Sequence, residues 1–510
     1  MRGMRLILSL VITSSLLASA APSAEPVYSF GFARIDVTPE VPLRLSGYGN
    51  RNQPFEGIDE SLSARVMVIR PADGESHVLV SVDTIGFPGV LTKEIHDRLE
   101  ETHGIPRERF VLTFTHSHTA PHIGRGLSNL FATPLSDDER NATEAYTDFI
   151  RDRIIKAVGQ ALAETSPGRL FVGAGEAHFA VNRRVLQDGK WTGFGINPAG
   201  PVDHSLPVLK VTNADGKTVR ALIFNYACHC TTFGGDYNRV NGDWAGYAAK
   251  YLEESYPETL ALCTIGCGAD ANPQRIPERA LQIAQAQGRE IADEVQRVTN
   301  GPMTEVTSPL QATYGFAGLP IDRPSIEDLR EALNNNRPQV RRHAEEMLDV
   351  HSRMGRLPET YPMPIQVWRF GDQFTQVFLG GEVCVDYAFR IKRELSGLSE
   401  QTEDNSQDSS IPDSQHSTRI WVTAYANDVF GYVAPERMRD EGGYEVDFSM
   451  IYYLQPGRWS SGTEDVILRR VHELYDNSLL SGPLSPDDAL RAFTVPEGFS
   501  GDVVAAEPLI

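Results

Sequence analysis

The 510 residues hold only five cysteines, Cys228, Cys230, Cys263, Cys267 and Cys384. So sparse a set excludes a disulfide-dense scaffold, and the odd count leaves at least one thiol unpaired within a single chain. Basic charge is also short. The 47 Lys and Arg against 68 Asp and Glu give a formal net charge of −21, which argues against nucleic acid or an anionic membrane as partner. A neutral or zwitterionic small molecule fits better. Beyond residue 24 no apolar run reaches the length of a membrane-spanning helix, and there is no internal repeat or low-complexity array. What is present is ordinary: 41% hydrophobic and 23% charged residues suffice for a large core.

Residues 1–24 read as an export signal. Arg2 and Arg5 precede the apolar run 6–17, and small residues offer cleavage after Ala20 or Ala24. The expected location is therefore exported, periplasmic or extracellular. One folded domain is expected over 25–482, with a polar, acidic loop or linker at 396–417 inside it and a tail at 483–510.

Strands are predicted at 28–34, 64–70, 77–83, 109–115, 206–211, 221–227 and 260–265, and helices at 91–101, 142–164 and 244–254. Strand, helix and strand at this spacing predict βαβ units, a sheet buried on both faces, and hence an α/β fold: a mixed sheet core flanked by helices. Residues 169–185 read as one extended stretch. Residues 277–298 and the charged run 326–354, broken near Pro338, are predicted helical, with a small helical insertion in the middle of the chain. A hairpin at 365–370 and 374–379 turns on Gly371-Asp372. A helix at 385–395, a strand at 419–426 and a helix at 464–479 follow.

Several of these strands end in a residue that can ligate a metal. Residues 111–122 read Val-Leu-Thr-Phe-Thr-His-Ser-His-Thr-Ala-Pro-His. Alternation along a strand would set His116 and His118 on one face, at the carboxyl end where ligands gather in such sheets. His229 ends a second strand, and Glu382 follows Gly380-Gly381 at the end of a third. Two neutral imidazoles and a carboxylate leave Zn²⁺ an open position, the arrangement of a catalytic rather than a structural site. Cys228 and Cys230 flank His229, but alternation points their sulfurs away from its ring, so they read as buried packing or a disulfide end. Each piece has a plainer reading: surface histidines, a solvated glutamate, a salt-bridged Arg183 with Arg184 competing for its role, a core Tyr432.

Taken in order, the residues resemble the neutral ceramidases, the zinc-dependent non-lysosomal type, over their catalytic domain. The likeness begins with Gly31-Phe-Ala-Arg-Ile-Asp-Val-Thr-Pro, Gly47-Tyr and Gly57-Ile-Asp-Glu-Ser-Leu-Ser-Ala-Arg. It continues through Thr115-His-Ser-His, Asn182-Arg183, and His229-Cys-Thr-Thr with Gly242-Asp243 and Gly246. It closes with Glu382, Tyr425-Ala-Asn, Tyr432-Val and Tyr444-Glu445, ending near Gly457. The resemblance implies one Zn²⁺ per chain held by His116, His229, Glu382 and Tyr432, with His118, Arg183 and Tyr444 acting around a scissile amide. The implied substrate is a ceramide-like lipid or another N-acyl amide, cleaved by a zinc-activated water to a fatty acid and a sphingoid-type base, with at most transient membrane contact.

Three departures stand out. Gly268-Ala-Asp-Ala-Asn-Pro occupies the region of the family's Asn-x-Ser-Pro-Asn-like turn, which excludes a serine nucleophile there and leaves Asp270 or Asn272 for another task. Gly57-Ile58-Asp59 stands where the family has Gly-Ile-His, turning a potential donor into an acceptor. No counterpart of the family's immunoglobulin-like C-terminal domain is read in the sequence. Residues 486–510 are similar to the opening of a propeller-type dehydrogenase module, or form a docked extension. Two other functional classes remain in view. One is a metal-dependent phosphoesterase, which usually needs two metals about 4 Å apart and several aspartates. The other is a non-catalytic binding protein on the same fold.

Overall fold

The apolar runs pair into one mixed sheet. In chain order its main strands are β1 (Tyr28–Asp36), β2 (Ser63–Pro71), β3 (His77–Val82), β4 (Phe110–Phe114), β5 (Ser166–Glu176), β6 (Ser205–Asn213), β7 (Val219–Tyr226) and β8 (Leu260–Ile265). This computed structural model describes residues 27–72, 74–397 and 419–477. The export signal, nearly all of the polar linker and the C-terminal tail read from the sequence lie outside those residues.

Across the sheet the order is β8-β7-β6-β5-β1-β2-β3-β4. The inner pairs are antiparallel, and the two edge pairs, β7 with β8 and β3 with β4, are parallel. Parallel neighbours need a crossover. Helix α1 (Gly89–His103) supplies it between β3 and β4, and α3 (Asp243–Ser255) between β7 and β8. Between them α2 (Asp137–Ala163) begins five residues before the predicted start. Ser136 accepts from the Glu139 N–H, and Glu139 accepts from the Ser136 N–H, a capping box that recruits the acidic first turn.

A second sheet follows α4 (Ala280–Asn300). It contains β9 (Leu310–Asp322), β10 (Thr360–Phe370), β11 (Phe374–Leu379) and β12 (Ile420–Thr423), in the order β12-β11-β10-β9. Helices α5 (Ile326–Ala332) and α6 (Pro338–Met354) are inserted between β9 and β10 and share a small core of Leu329, Ala344, Met347 and Leu357. Pro338 opens α6, where its missing N–H costs nothing, so the helical run breaks just before it. Further helices among the described residues include α7 (Val385–Leu395) and α8 (Thr463–Asn477).

The two sheets pack face to face. Met67, Ile69, Leu79, Val111 and Leu262 of the first meet Trp368, Phe370, Phe378 and Trp421 of the second. The alternate residues Val66, Val68, Val78 and Val80 turn outward into a cluster with Leu91 and Ile95 of α1 and Ile150 and Ile154 of α2. Val367 and Val377 share the same cluster with Ile467, Leu468 and Val471 of α8. The layers are thus helix, sheet, sheet, helix, and the first sheet is buried on both faces, as its near-continuous apolar strands require.

Twist of about 20–25° per strand accumulates over the eight strands and brings the edges round toward each other. The Ser81 hydroxyl of β3 donates to the Cys263 carbonyl of β8 at 2.5 Å. Residues 424–427 then lace three strand ends together through the backbone. Ala424 N–H donates to Ile265 C=O after β8, Phe114 N–H of β4 donates to Tyr425 C=O, and Tyr425 N–H donates to Gly381 C=O beyond β11. The site forms where these ends meet. All five cysteines are free and buried, so the packing alternative holds and the disulfide one does not. Among the described residues no helix is long and apolar enough to cross a membrane.

Candidate functional site

His116 and His118 do not sit in a strand. β4 stops at Phe114, and His116 takes a left-handed backbone with φ 54°. The expected alternation of faces is therefore not what aligns them. The turn does so, with the two Nε2 atoms 3.2 Å apart. His229 likewise lies beyond the end of β7 at Tyr226. The two histidine loops are held together by a bridge between Ser117 and Cys230 and by the His118 N–H donating to the Cys230 carbonyl.

Each inner imidazole is anchored by its far nitrogen. His116 Nδ1 is 2.6 Å from the Ile85 carbonyl, and His229 Nδ1 is 2.8 Å from the Gly268 carbonyl. A carbonyl accepts only from N–H, so in both rings the proton sits on Nδ1 and the Nε2 lone pair faces the cluster. Trp244, fully buried, donates its indole N–H to the His229 carbonyl and fixes that loop from below.

Glu382 and Tyr432 arrive side by side, paired in a short parallel ladder of Glu382–Val383 with Tyr432–Val433. Gly381, with φ 81°, makes the sharp turn out of β11, and a Cβ there would stand 3.0 Å from the Gly431 carbonyl. Glu382 Oε2 lies 3.1 Å from His116 Nε2 and 3.1 Å from His229 Nε2. The Tyr432 hydroxyl lies 3.3 Å from His229 Nε2. Bonds of about 2.0–2.2 Å to a tetrahedral ion put its ligands about 3.3–3.5 Å apart, so these separations suit one small cation. The ring nitrogens of His116, His118 and His229 also lie within 4.8 Å of one another, which makes His118 a further donor at the edge of the set. Residues that could hold a metal are therefore His116, His229, Glu382 and Tyr432, with His118 adjoining.

The other predicted residues gather on the same spot. Arg183 donates Nε to Glu445 at 2.9 Å and Nη1 to Asn272 Oδ1 at 3.3 Å, with Nη1 3.5 Å from His229 Nε2. Its guanidinium lies over the rings of Phe194, Tyr432 and Tyr444 at 5.0, 5.4 and 5.7 Å. Tyr444 meets Tyr432 edge to face at 5.3 Å and is partly exposed. Arg184 is spent elsewhere, on Glu445, Glu441 and the Gly442 carbonyl. Asp270 is a buried tie: its carboxylate accepts from the Val385 N–H at the start of α7 and from Asn182 Nδ2. Asp59 accepts from Arg239 and Tyr237, which occupy its carboxylate.

Sequence reasoning missed three contributors. Tyr453 donates its hydroxyl to Glu382 Oε1, Tyr425 packs its ring 4.5 Å from His116, and Glu445 carries Arg183. Tyr425 and Glu445 stood inside quoted motifs, but Tyr453 lies in Met-Ile-Tyr-Tyr and carries no local signal. The opposite wall is Tyr48, edge to face with His118 at 5.1 Å. Gly47 is required beside it, because φ is +85° and a Cβ would sit 2.4 Å from the His118 ring. Gly47→Ala should displace His118 and lower kcat about 10–100-fold with metal content unchanged, read by steady-state kinetics beside elemental analysis.

Charge in the cluster is strongly perturbed. Burial, reinforced by Arg183, pushes His229 down to about 4. Burial and then the neighbouring imidazoles drive His118 well below its ordinary value. Burial alone would raise Glu382, but His116 and His229 outweigh it and hold the carboxylate well below the usual range. Burial and the Glu382 carboxylate push the Tyr432 phenol well up. His118 and His229 are thus held neutral beside an ionised carboxylate, a donor set for a cation.

Residues 28–265 match the family described as neutral/alkaline non-lysosomal ceramidase, N-terminal. The neutral ceramidase of Pseudomonas aeruginosa is 27% identical over 257 residues, covering 48% of this chain and 37% of that protein. The matched stretch thus spans little more than a third of that relative. The solved neutral ceramidase from Pseudomonas aeruginosa has a TM-score of 0.65 at 19% identity, over 92% of this chain and 77% of that one. A ceramidase complexed with C2 has a TM-score of 0.66 at 18% identity, over 91% and 78%. Over residues 28–265 the chain is thus similar in sequence to the neutral/alkaline non-lysosomal ceramidases, and over nine-tenths of its length it shares the fold of the solved one.

Proposed function

We propose that this chain is an exported, zinc-dependent amidohydrolase that cleaves the N-acyl amide of a ceramide-like lipid to a fatty acid and a sphingoid-type base. The observation that carries the reading is a glutamate carboxylate set between two imidazoles whose far nitrogens are each tied to a backbone carbonyl. That set suits one Zn²⁺ held by His116, His229, Glu382 and Tyr432. The relatives named neutral ceramidase, and the solved one complexed with C2, support a lipid amide as substrate. So does the rim, where Phe194, 53% exposed, meets Tyr444 edge to face at 5.1 Å and Phe448, 43% exposed, packs on Trp191, an apolar border suited to a hydrocarbon chain.

When bound, zinc supplies Lewis acidity and lowers the pKa of a coordinated water to about 7. This chain's own residues do the rest. Arg183 and Tyr444 donate to the carbonyl oxygen as it becomes an oxyanion, in a pocket where such donors are strong. His118, neutral and partly exposed at the edge of the set, accepts the proton of the attacking water. It returns that proton to the nitrogen as the C–N bond breaks, so the amine leaves neutral. The phosphoesterase reading is less well supported, because the flanking aspartates are committed: Asp243 accepts from the Thr232 and Trp244 N–H groups, and Asp270 from Val385.

The test is to incubate the purified protein with a mixed lipid and N-acyl amide library, with and without chelator, and identify products by mass. Fatty acid and amino-alcohol base should appear, vanish on metal removal and return with one equivalent of Zn²⁺. Turnover of phosphate esters with two metal equivalents would support the phosphoesterase instead, and a zinc-loaded protein inert to the whole panel would support a binding protein. Metal retention has a defined pH dependence. Ligands must be deprotonated to bind, and His229 stays neutral until about pH 4 while Glu382 ionises well below its usual range. Protonation of His229 should therefore help to release the metal only as pH falls toward 4, read by elemental analysis after gel filtration.

A further inference from the structure

We infer that Glu445 is a positioning residue that sets the placement of Arg183 and Tyr444 together. The inference rests on the reading of those two side chains as the donors to the oxyanion. Glu445 is 1% exposed, and its carboxylate is shared by consecutive arginines: Oε1 accepts from Arg183 Nε at 2.9 Å, and Oε2 accepts from Arg184 Nη1.

Neighbours in a regular strand point to opposite faces, yet here both guanidiniums reach one acid. They do so because Arg183 stands in the break between Ala180–Asn182 and Arg184–Gln187, where the Arg184 N–H donates to Asn182 Oδ1 at 3.0 Å. Arg183 spends its Nε edge on Glu445 and leaves Nη1 against Asn272 and His229, while Nη2 is buried without a hydrogen bond.

The second donor hangs on the same acid. Tyr444 and Glu445 open the turn Tyr444–Phe448, which is entered through Gly442 and Gly443 with φ 70° and 109°. A Cβ on Gly443 would stand 2.4 Å from Trp191, so only glycine lets this turn approach the strand Lys190–Phe194. Arg184 then closes on Glu441 and the Gly442 carbonyl, which keeps the carboxylate from swinging. One buried acid thereby registers the arginine from one segment against the tyrosine from another. The arrangement is that of an outer partner that orients a reacting group without touching substrate.

The test is a double-mutant cycle of Glu445→Gln with Arg183→Met, with Glu445→Asp as a charge-keeping variant that is expected to fold. Glu445→Gln and Glu445→Asp should each lower kcat roughly 10–100-fold, with KM little changed and the metal retained. Adding Glu445→Gln to Arg183→Met should lower kcat by less than it does in the wild type, because only the placement of Tyr444 is then left to lose. Additive losses, or loss of metal in Glu445→Asp, would overturn the inference. A readout free of turnover is phenylglyoxal labelling of Arg183 followed by peptide mass: the wild type should label slowly and both Glu445 variants faster. Unchanged labelling would overturn the positioning role. Faster labelling in a protein inert toward N-acyl amides would sustain it and overturn the amidohydrolase reading instead.

Discussion

Glu382→Ala should lose the metal and turnover together. The carboxylate touches both anchored imidazoles, at 3.1 Å each, and it also accepts from Tyr453. Without it the close-set imidazoles are left with no carboxylate in contact, since Glu445 is spent on Arg183 and Arg184. Lewis-acid stabilisation is worth several kcal/mol, and each 1.36 kcal/mol is tenfold, so kcat/KM should fall on the order of 10³ or more. Bound zinc should drop from one equivalent toward zero in elemental analysis. A variant that kept both would show that Glu382 is a structural acid.

Arg183→Met should separate chemistry from metal binding. The guanidinium is not among the proposed ligands, but it lies 3.5 Å from His229 Nε2 and over the rings of Tyr432 and Tyr444. Burial works against its charge, yet Tyr432 and Glu445 more than offset that and keep its pKa well above the usual value. It is therefore a permanent cation where negative charge would develop. Removing one such donor costs about 10²–10³ in kcat, and the loss should fall on kcat rather than KM. Zinc content should stay at one equivalent. Arg184→Met should cost less, since Arg184 reaches the site only through the Glu445 carboxylate it shares and otherwise holds Glu441 and the Gly442 carbonyl, and an equal loss there would contradict the assignment.

Much of the framework was legible because local chemistry and tertiary structure agree. The runs that became β2, β3 and β4 are near-continuously apolar, as strands covered on both faces tend to be, and the crossover spacing announced the parallel pair β3 and β4. β9 was not legible. Its Thr-Tyr-Gly-Phe-Ala-Gly-Leu-Pro carries two glycines and a proline, and it is a strand because β10 pairs with it from Leu310↔Phe370 to Pro320↔Thr360. The stretch 169–185, expected as one extended piece, is broken after Glu176, and the strands Arg184–Gln187 and Lys190–Phe194 form a hairpin the sequence did not announce.

His116, His118, His229 and Glu382 were legible as residue types at strand ends, whereas Tyr432, Arg183 and Tyr444 came only from the resemblance; the structure brings all seven close together. The geometry behind the reading was different. His116 and His118 meet through a left-handed turn at His116, not through strand alternation. Tyr453 joins Glu382 from more than seventy residues away, and only the tertiary fold makes that contact.

X-ray absorption and anomalous diffraction at the zinc edge on the zinc-loaded protein test the central claim most directly. One ion should appear between His116 Nε2, His229 Nε2, Glu382 Oε2 and the Tyr432 oxygen, at about 2.0–2.2 Å from each. Zinc bound elsewhere, or a pair of ions about 4 Å apart with aspartate ligands, would contradict it.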